Sequence, residues 1–176
     1  MPILSLGTSV AVAKGISAVT GLPVQIKWPN DIVCSGKKLC GILLEMDANE
    51  QHVESVVVGA GINVHQKEFP DEISATATSL DLLTGKTVSR TEIIKAVLRA
   101  AEETEQMIRN GTLMETYCSM SATIGRAVSV QAVGETFTGH AESIHPDGVL
   151  VVRTESGELR EVMAGDVSVR GLMGYV

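Results

Sequence analysis

The sequence is short of cationic charge. Its 14 Lys and Arg are outnumbered by 21 Asp and Glu, giving a formal net charge of −7. No chain-wide basic field exists to attract phosphate backbones, so DNA and RNA are disfavoured as main partners. Cysteine is scarce and odd in number: Cys34, Cys40 and Cys118 contain no C-x-x-C pair, which argues against a disulfide framework and fits reduced thiols. The start, Met1-Pro2-Ile3-Leu4, lacks the charged region of a signal peptide. No apolar run is read as reaching the roughly 18–20 residues of a membrane span. The expectation is a soluble, cytoplasmic protein with no membrane partner. Catalytic signatures are missing too. His52, His65, His140 and His145 show no zinc-ligand spacing, so no metal site is assigned, and no G-x-S-x-G elbow occurs. Gly59-x-Gly61 lacks the third glycine of a dinucleotide fingerprint. Gly85-Lys86-Thr87 ends like a P-loop, but Leu80 stands where the upstream glycine should be.

What is present is a chain of 176 residues, 44% hydrophobic, enough for one core with a small appendage. Residues 3–20 are apolar or small on nearly all sides, with Lys14 the single charge, and stop at Gly21-Leu22-Pro23. That pattern predicts a buried helix, although little precedes it to bury it. Val24–Lys27 reads as a short strand, and Ser35-Gly36-Lys37 as the turn of a hairpin over 32–46. Lys38–Met46 is apolar on both parities, as for a strand covered on both faces. Val53–Val64 reads as another strand, with Gly59 and Gly61 on one face. Residues 66–88 look irregular apart from a helical turn near Ser79–Leu83. Ser89-x-x-Glu92 is a capping box opening a helix to about Ile108, with Ile94, Val97, Ala101 and Ile108 on its inward face, and a shorter helix follows over 112–120. From Ile124 the texture changes to short β-rich runs (127–133, 136–144, 148–154, 158–163, 166–170) parted by Gly134-Glu135, Pro146-Asp147-Gly148, Ser156-Gly157 and Gly165-Asp166. Such runs predict a small β-barrel or sandwich, docked on the first unit because no long linker precedes it.

The densest chemistry lies in Lys27-Trp28-Pro29-Asn30-Asp31 and the following Gly36-Lys37-Lys38-Leu39-Cys40-Gly41-Ile42-Leu43-Leu44-Glu45, where three lysines, an amide, a carboxylate and the sole tryptophan border an apolar strand. Charge at the mouth of a buried strand points to ligand binding. With Gly59-Ala60-Gly61-Ile62-Asn63 downstream, these motifs resemble the central signature of biotin–protein ligases, which adenylate biotin and attach it to a carrier lysine. The resemblance runs through most of the chain and implies an α/β (α+β) fold. It comprises a mixed sheet with packed helices over 1–122, partial at its N-terminal side, and an SH3-like barrel over 123–176.

The resemblance also implies roles. Lys38 contacts the biotin carboxylate and the adenylate phosphate, whose mutual repulsion calls for a cation. Asp31 orients the acceptor amine and takes its proton; on composition alone it reads as a turn residue. Gly41, Leu43, Gly59 and Gly61 join Lys38 in lining the biotin site. Lys27, Trp28, Asn30 and Asn63 face ATP, with Asn63 reaching nucleotide or metal-bound phosphate. Alternatives remain for several. Lys27 merely ends a strand, Trp28 anchors the core, Asn30 caps the turn, Leu43 is a core leucine, and the two glycines serve strand-to-helix packing. Lys37 is read as a solvated charge. The implied ligands are ATP, biotin and Mg2+, and the implied partner is the biotin carboxyl carrier protein. These ligases carry an arginine- and glycine-rich loop upstream of the first helix that has no counterpart here. The chain is therefore expected to be a C-terminal portion, weakly active or inactive alone, without a winged-helix DNA-binding segment, and prone to homodimerise through exposed strand edges. A non-catalytic adenylate-binding module and a lipoate ligase are the competing readings.

Overall fold

The structure is a computed structural model that describes residues 2–49, 52–132, 134–164 and 168–171. Its first element, α1 (Pro2–Thr20), ends at Gly21 in the left-handed region (φ 70°). As expected of a helix apolar all round, α1 is buried along most of its length, with Leu6, Val10, Val12, Ala13 and Ile16 nearly inaccessible. Its cover comes from α4 (Arg90–Asn110), α5 (Leu113–Ser119) and the first sheet. The α1–α4 crossing depends on missing side chains. A Cβ on Gly15 would lie 2.6–2.7 Å from Val97, backbone included, and one on Gly7 would press on Ile108 at 3.0 Å. One expectation is corrected: Ile3–Thr20 has the length and hydropathy (mean 1.5) to cross a membrane. Here half of it is buried inside the fold, as in the core helix of a globular protein.

The first sheet runs β1 (Gln25–Lys27), β2 (Asp31–Cys34), β3 (Lys37–Ala48), β4 (Val53–Ile62) in spatial order, all neighbours antiparallel. Among the described residues, parallel pairing is confined to two isolated bridges, Ile26 with Ser121 and Lys38 with Ala77. The β2–β3 turn is Ser35-Gly36, both at positive φ (51° and 73°), as type I′ hairpins require. The expectation that Lys38–Met46 is covered on both faces holds only to Ile42. Beyond it Leu43 is 62% and Met46 47% exposed, because no described element lies across that end of the sheet.

Between β4 and α4 the chain forms two short helices, α2 (Asp71–Ser74) and α3 (Leu80–Thr84), the second capped by Ser79, whose hydroxyl accepts from the Leu82 N–H. Ser89 caps α4 in the same way, accepting from the Glu92 N–H. The inward face of α4 is phased differently from the expectation. Ile93, Ala100 and Thr104 are buried and Val97 packs beside them, whereas Ile94 is 59% exposed and Ala101 is also exposed. Positions 93, 97, 100 and 104 follow the i, i+4, i+7, i+11 stripe set by the close crossing at Gly15, and position 94 falls off it.

The C-terminal sheet has the order β8–β7–β6–β5–β9, from β5 (Ala127–Ala132), β6 (Glu135–Ile144), β7 (Leu150–Thr154), β8 (Leu159–Val162) and β9 (Ser168–Gly171), all antiparallel. The expected Gly165-Asp166 turn, the end of the 127–133 run at residue 133, the start of the 166–170 run and the chain end at 172–176 lie outside the described residues. This sheet docks on the first as expected. The Ile26 N–H donates to the Met120 carbonyl and the Ala122 N–H to the Ile26 carbonyl, seating the stretch between α5 and β5 on β1, and buried side chains from both sheets form one apolar cluster.

Candidate functional site

The segment Trp28-Pro29-Asn30 turns the chain from β1 into β2 and is fixed from three sides. The Trp28 N–H donates to Thr123 Oγ1 at 2.9 Å, and its indole Nε1–H donates to the Gly148 carbonyl at 3.0 Å. The hydroxyl of Tyr117, itself fully buried on α5, donates to the Pro29 carbonyl at 3.2 Å. Asn30 closes the fourth edge, its Nδ2 donating to the Ile42 carbonyl at 2.6 Å while its own carbonyl accepts from the Ile42 N–H. All five hydrogen bonds satisfy polar atoms that are buried or half-buried.

Asp31 pairs with Gly41 in the β2–β3 ladder, so both face one side of the sheet. Lys38 lies an odd number of residues from Gly41 and in a regular strand would face the other side. A bulge intervenes: Ile32 pairs with Cys40 but Val33 pairs with Lys38, leaving Leu39 as the extra residue. The bulge brings Lys38 onto the face of Asp31, and their side chains form an ion pair of 2.6 Å. Gly41 makes room for it: a Cβ there would stand 3.3 Å from Lys38 Cε and Nζ and 3.6 Å from Asp31 Oδ1.

These groups open on a cavity of about 630 Å3, lined by Lys27, Trp28, Asn30, Asp31, Lys38, Gly41 and Leu43 from the first sheet, and by Ser5 of α1. The C-terminal sheet completes the lining with Val169 and Arg170, helped by Ala164. Lys27, Lys38 and Arg170 therefore line the same cavity as Asp31, the one carboxylate among the described lining residues, inside a protein of net charge −7. Lys27 is only 7% exposed, and burial holds its pKa below the ordinary lysine value; Asp31 opposes that shift while Lys38 and Arg170 add to it. Burial, then Asp31, pushes the neighbouring Cys40 thiol up to about 12, so it stays protonated. A local excess of cations beside an apolar, glycine-bordered strand suits a ligand with anionic and flat apolar parts.

Seven of the ten residues singled out from the sequence share this cavity: Lys27, Trp28, Asn30, Asp31, Lys38, Gly41 and Leu43. Trp28 is 2% exposed and held by Gly148, so its alternative as a core anchor is the one its surroundings fit. Leu43, at 62% exposure, is no core leucine. Gly59 and Gly61 do not line the cavity but pair with Leu43 and Gly41 and so extend the same face. Their alternative, packing against a helix, is corrected: a Cβ on either would meet only a β3 carbonyl, at 3.8 and 3.7 Å. Asn63 also lies outside the cavity lining, with Nδ2 donating to the Thr78 carbonyl at 3.1 Å. Ser5 and Arg170 were not singled out. Arg170 sits on the last described strand, and nothing local marks it until β9 pairs with β5 beside the first sheet. Among the described residues no group of three or more His, Cys, Asp or Glu side chains is placed to hold a metal ion.

Two family models match. The biotin/lipoate A/B protein ligase family covers residues 1–63, and the biotin protein ligase C terminal domain covers residues 123–170. The bifunctional ligase/repressor BirA of Bacillus subtilis is 38% identical over an alignment of 174 positions that covers 94% of this chain and 52% of that protein. A biotin--[acetyl-CoA-carboxylase] ligase of Mycobacterium tuberculosis is 35% identical, over 93% of this chain and 61% of the relative. The chain thus spans about half the length of curated relatives it matches. Among solved structures, the apo biotin protein ligase of Aquifex aeolicus superposes with a TM-score of 0.85 at 29% identity, covering 97% of this chain and 76% of that one. The same enzyme in complex with biotin and ATP gives a TM-score of 0.82 at 29% identity, covering 97% and 72%.

Proposed function

The chain belongs to the biotin protein ligase family, and on that premise we propose that it takes part in ATP-dependent activation of biotin and transfer of biotin to a lysine of a carboxyl carrier protein. The observation that carries this reading is the cluster of Lys27, Lys38 and Arg170 around Asp31 at the edge of the Gly41–Leu43 strand. In the first step a biotin carboxylate oxygen attacks the α-phosphorus of ATP. The bond to pyrophosphate breaks, and biotinyl-5′-AMP forms. Lys38, leaving Asp31, offsets the charge of the carboxylate and of the phosphoryl oxygens, and Lys27 adds a second positive charge in a poorly hydrated place. In the second step the carrier lysine attacks the biotinyl carbonyl and AMP leaves. Asp31 accepts the amine proton and holds the amine in the place Lys38 occupied.

The face formed by Gly41, Leu43, Gly59 and Gly61 receives the bicyclic ring of biotin, Leu43 against its apolar side and the three glycines leaving the backbone open. Asn30 and Trp28 shape the wall beside ATP. Mg2+ would be held by the ATP phosphates, whose charge it would offset, and Asp31 is the sole carboxylate among the described residues of the lining. No DNA-binding role is proposed. The apolar edge strand β4 favours self-association, which light scattering across a concentration series would detect or rule out.

The test is direct. Incubating the chain with biotin and radiolabelled ATP is expected to give at most weak labelling of biotinyl-5′-AMP, and a carrier domain added afterwards is expected to become biotinylated to a correspondingly small extent. Absence of adenylate, with calorimetric binding of biotin or adenylate retained, would favour the binding-module reading. Absence of both would remove the proposal. The lipoate reading predicts transfer to a lipoyl acceptor instead, and the match of residues 123–170 to the biotin ligase C-terminal domain weighs against it.

A further inference from the structure

We propose that Tyr117 of α5 is a positioning residue for Asp31: its hydroxyl sets the Pro29–Asn30 turn and touches no ligand. Among the described residues β1 is the edge strand of its sheet, and the stretch from Tyr117 to Thr123 runs along that edge. Four hydrogen bonds join the two. The Ile26 N–H donates to the Met120 carbonyl and the Ala122 N–H to the Ile26 carbonyl, both at 2.8 Å. The Trp28 N–H donates to Thr123 Oγ1 at 2.9 Å, and the Tyr117 hydroxyl donates to the Pro29 carbonyl at 3.2 Å. The first three hold β1 and its end. Of the four, only the bond from Tyr117 reaches past Trp28 into the turn itself.

The Pro29 carbonyl belongs to the peptide that leads into Asn30, and Asn30 is bound to Ile42 on β3 by two bonds, at 2.6 and 3.1 Å. A donor on that carbonyl fixes the orientation of the peptide two residues ahead of the Asp31 carboxylate. Tyr117 is inaccessible to solvent and lies outside the cavity lining. Burial first, then the neighbouring Cys118, raises the pKa of its phenol, so the group stays a proton donor. Phenylalanine would fill the same apolar space. The hydroxyl adds a buried polar atom to the core, and the partner that satisfies it is the turn. An oxygen placed in this way serves geometry beyond packing. The inference rests on the proposed role of Asp31, but the hold on the turn can be measured without any ligand.

The first measurement is amide hydrogen exchange on the ligand-free chain at fixed pH. Tyr117→Phe is expected to lower protection about three- to tenfold at Ile42, whose N–H donates to the Asn30 carbonyl, while Val130 in the other sheet keeps its protection. Unchanged protection at Ile42 overturns the proposal. An equal fall at Val130 overturns it too, because it reports general destabilisation. The second measurement supplies biotinyl-5′-AMP and reads transfer of biotin to a carrier domain, the step assigned to Asp31. Tyr117→Phe is expected to slow transfer roughly tenfold at saturating adenylate, with adenylate affinity nearly unchanged. It is expected to add nothing in the Asp31→Asn background. Equal losses in both backgrounds would mean that Tyr117 acts elsewhere, and the proposal falls. Leu113→Ala is the structural control, since Leu113 is buried at the other end of α5 and its apolar side chain cannot bond to the turn. It is expected to lower the melting temperature more than Tyr117→Phe does and to leave transfer unchanged below that temperature. If it slows transfer as much, α5 serves the fold alone and the proposal is overturned. If the unaltered chain transfers no biotin from the adenylate, the proposed function fails while the exchange experiment still decides the hold on the turn.

Discussion

At its inner end the β3–β4 hairpin buries Leu39, Cys40 and Ile42 to 3% exposure or less, while at its outer end Leu43, Met46, Val53, Val57 and Val58 stand 45–62% exposed. The two ends share one antiparallel ladder and a similar run of β-branched and aliphatic residues. They differ in what lies across the sheet. Helix α1 packs on the inner end, with β2 on one edge and the 76–78 segment on the other. The outer end has only its own ladder. Backbone pairing therefore sets the shape of a strand, but tertiary cover decides whether its residues act as core. The chemistry sits at the boundary: Gly41 is the last residue beside Lys38, and Leu43 the first on the open face.

The widest separation between the two ends is expected in stability. Ile42→Ala removes a side chain that is 3% exposed and should cost about 2–5 kcal/mol. Leu43→Ala, one residue further out, should change stability by about 0.5 kcal/mol or less. Denaturant titration of both variants measures the difference, and comparable losses would mean that the outer end is covered in solution. Lys38→Ala separates the ends by chemistry instead. It should lower adenylate formation by about 10²–10³-fold while shifting the unfolding midpoint little, since the lysine is 39% exposed in its side chain. A single-turnover assay beside a thermal melt distinguishes that outcome from simple unfolding.

The anchoring of the inner end to the C-terminal sheet is tested by Trp28→Phe. Phenylalanine keeps the ring but loses the donor to Gly148, leaving a buried carbonyl without its partner at a cost of about 1–3 kcal/mol. The loss should appear as a lower melting temperature together with weaker ATP binding, because the same turn carries Asn30 and Asp31 into the cavity. A variant that binds ATP normally while melting earlier would limit Trp28 to stability alone.

How much of this was legible beforehand differs between the same two ends. Lys38, Asp31 and Gly41 are readable as a group, because the motif is dense and local and the resemblance attaches to those residues. The bulge that brings Lys38 onto the face of Asp31 is not readable: alternation along 37–43 predicts opposite faces, and only the pairing of Val33 with Lys38 reverses it. Arg170 and the pairing of the 76–78 segment with Lys38 were invisible for a related reason. Each enters through contacts distant in sequence and carries no local pattern. Val97 and Ile108 of α4 pack inward as read, but Ile93 is buried in place of Ile94 and Ala100 in place of Ala101, because neighbouring positions are equally apolar and the choice is made by α1 at Gly15. The open outer face was missed because periodicity reports which residues suit burial, not whether anything arrives to bury them.

The smallest expected effect concerns pH and acts on the inner end alone. The 76–78 segment holds the Lys38 main chain, with the Lys38 N–H donating to the Thr76 carbonyl at 2.7 Å and the Thr78 N–H donating to the Lys38 carbonyl at 2.9 Å. Asp81 caps the stretch that follows it: its main-chain N–H donates to the Val64 carbonyl, and its carboxylate accepts from the Val88 N–H and pairs with His65 Nδ1 at 2.9 Å. The Val88 bond, the largest effect, holds its pKa below the ordinary aspartate value; desolvation opposes it, and the hydrogen bond and charge of His65, then the charge of Lys67, add to the lowering. A carboxylate whose pKa is lower folded than unfolded stabilises the fold above the unfolded value, and that contribution is lost as pH falls through the folded one. Acidification through that window should therefore loosen the segment that holds Lys38 before it affects the C-terminal sheet. The expected sign is a lower protection factor at Thr78 and Lys38 at acid pH, with that of Val130 unchanged. Asp81→Asn should flatten this dependence, because a neutral amide can still accept from Val88 but has no proton to gain in that range. If protection at Thr78 shows the same acid sensitivity with asparagine at 81, the loosening arises elsewhere, and the hold on Lys38 is independent of this carboxylate.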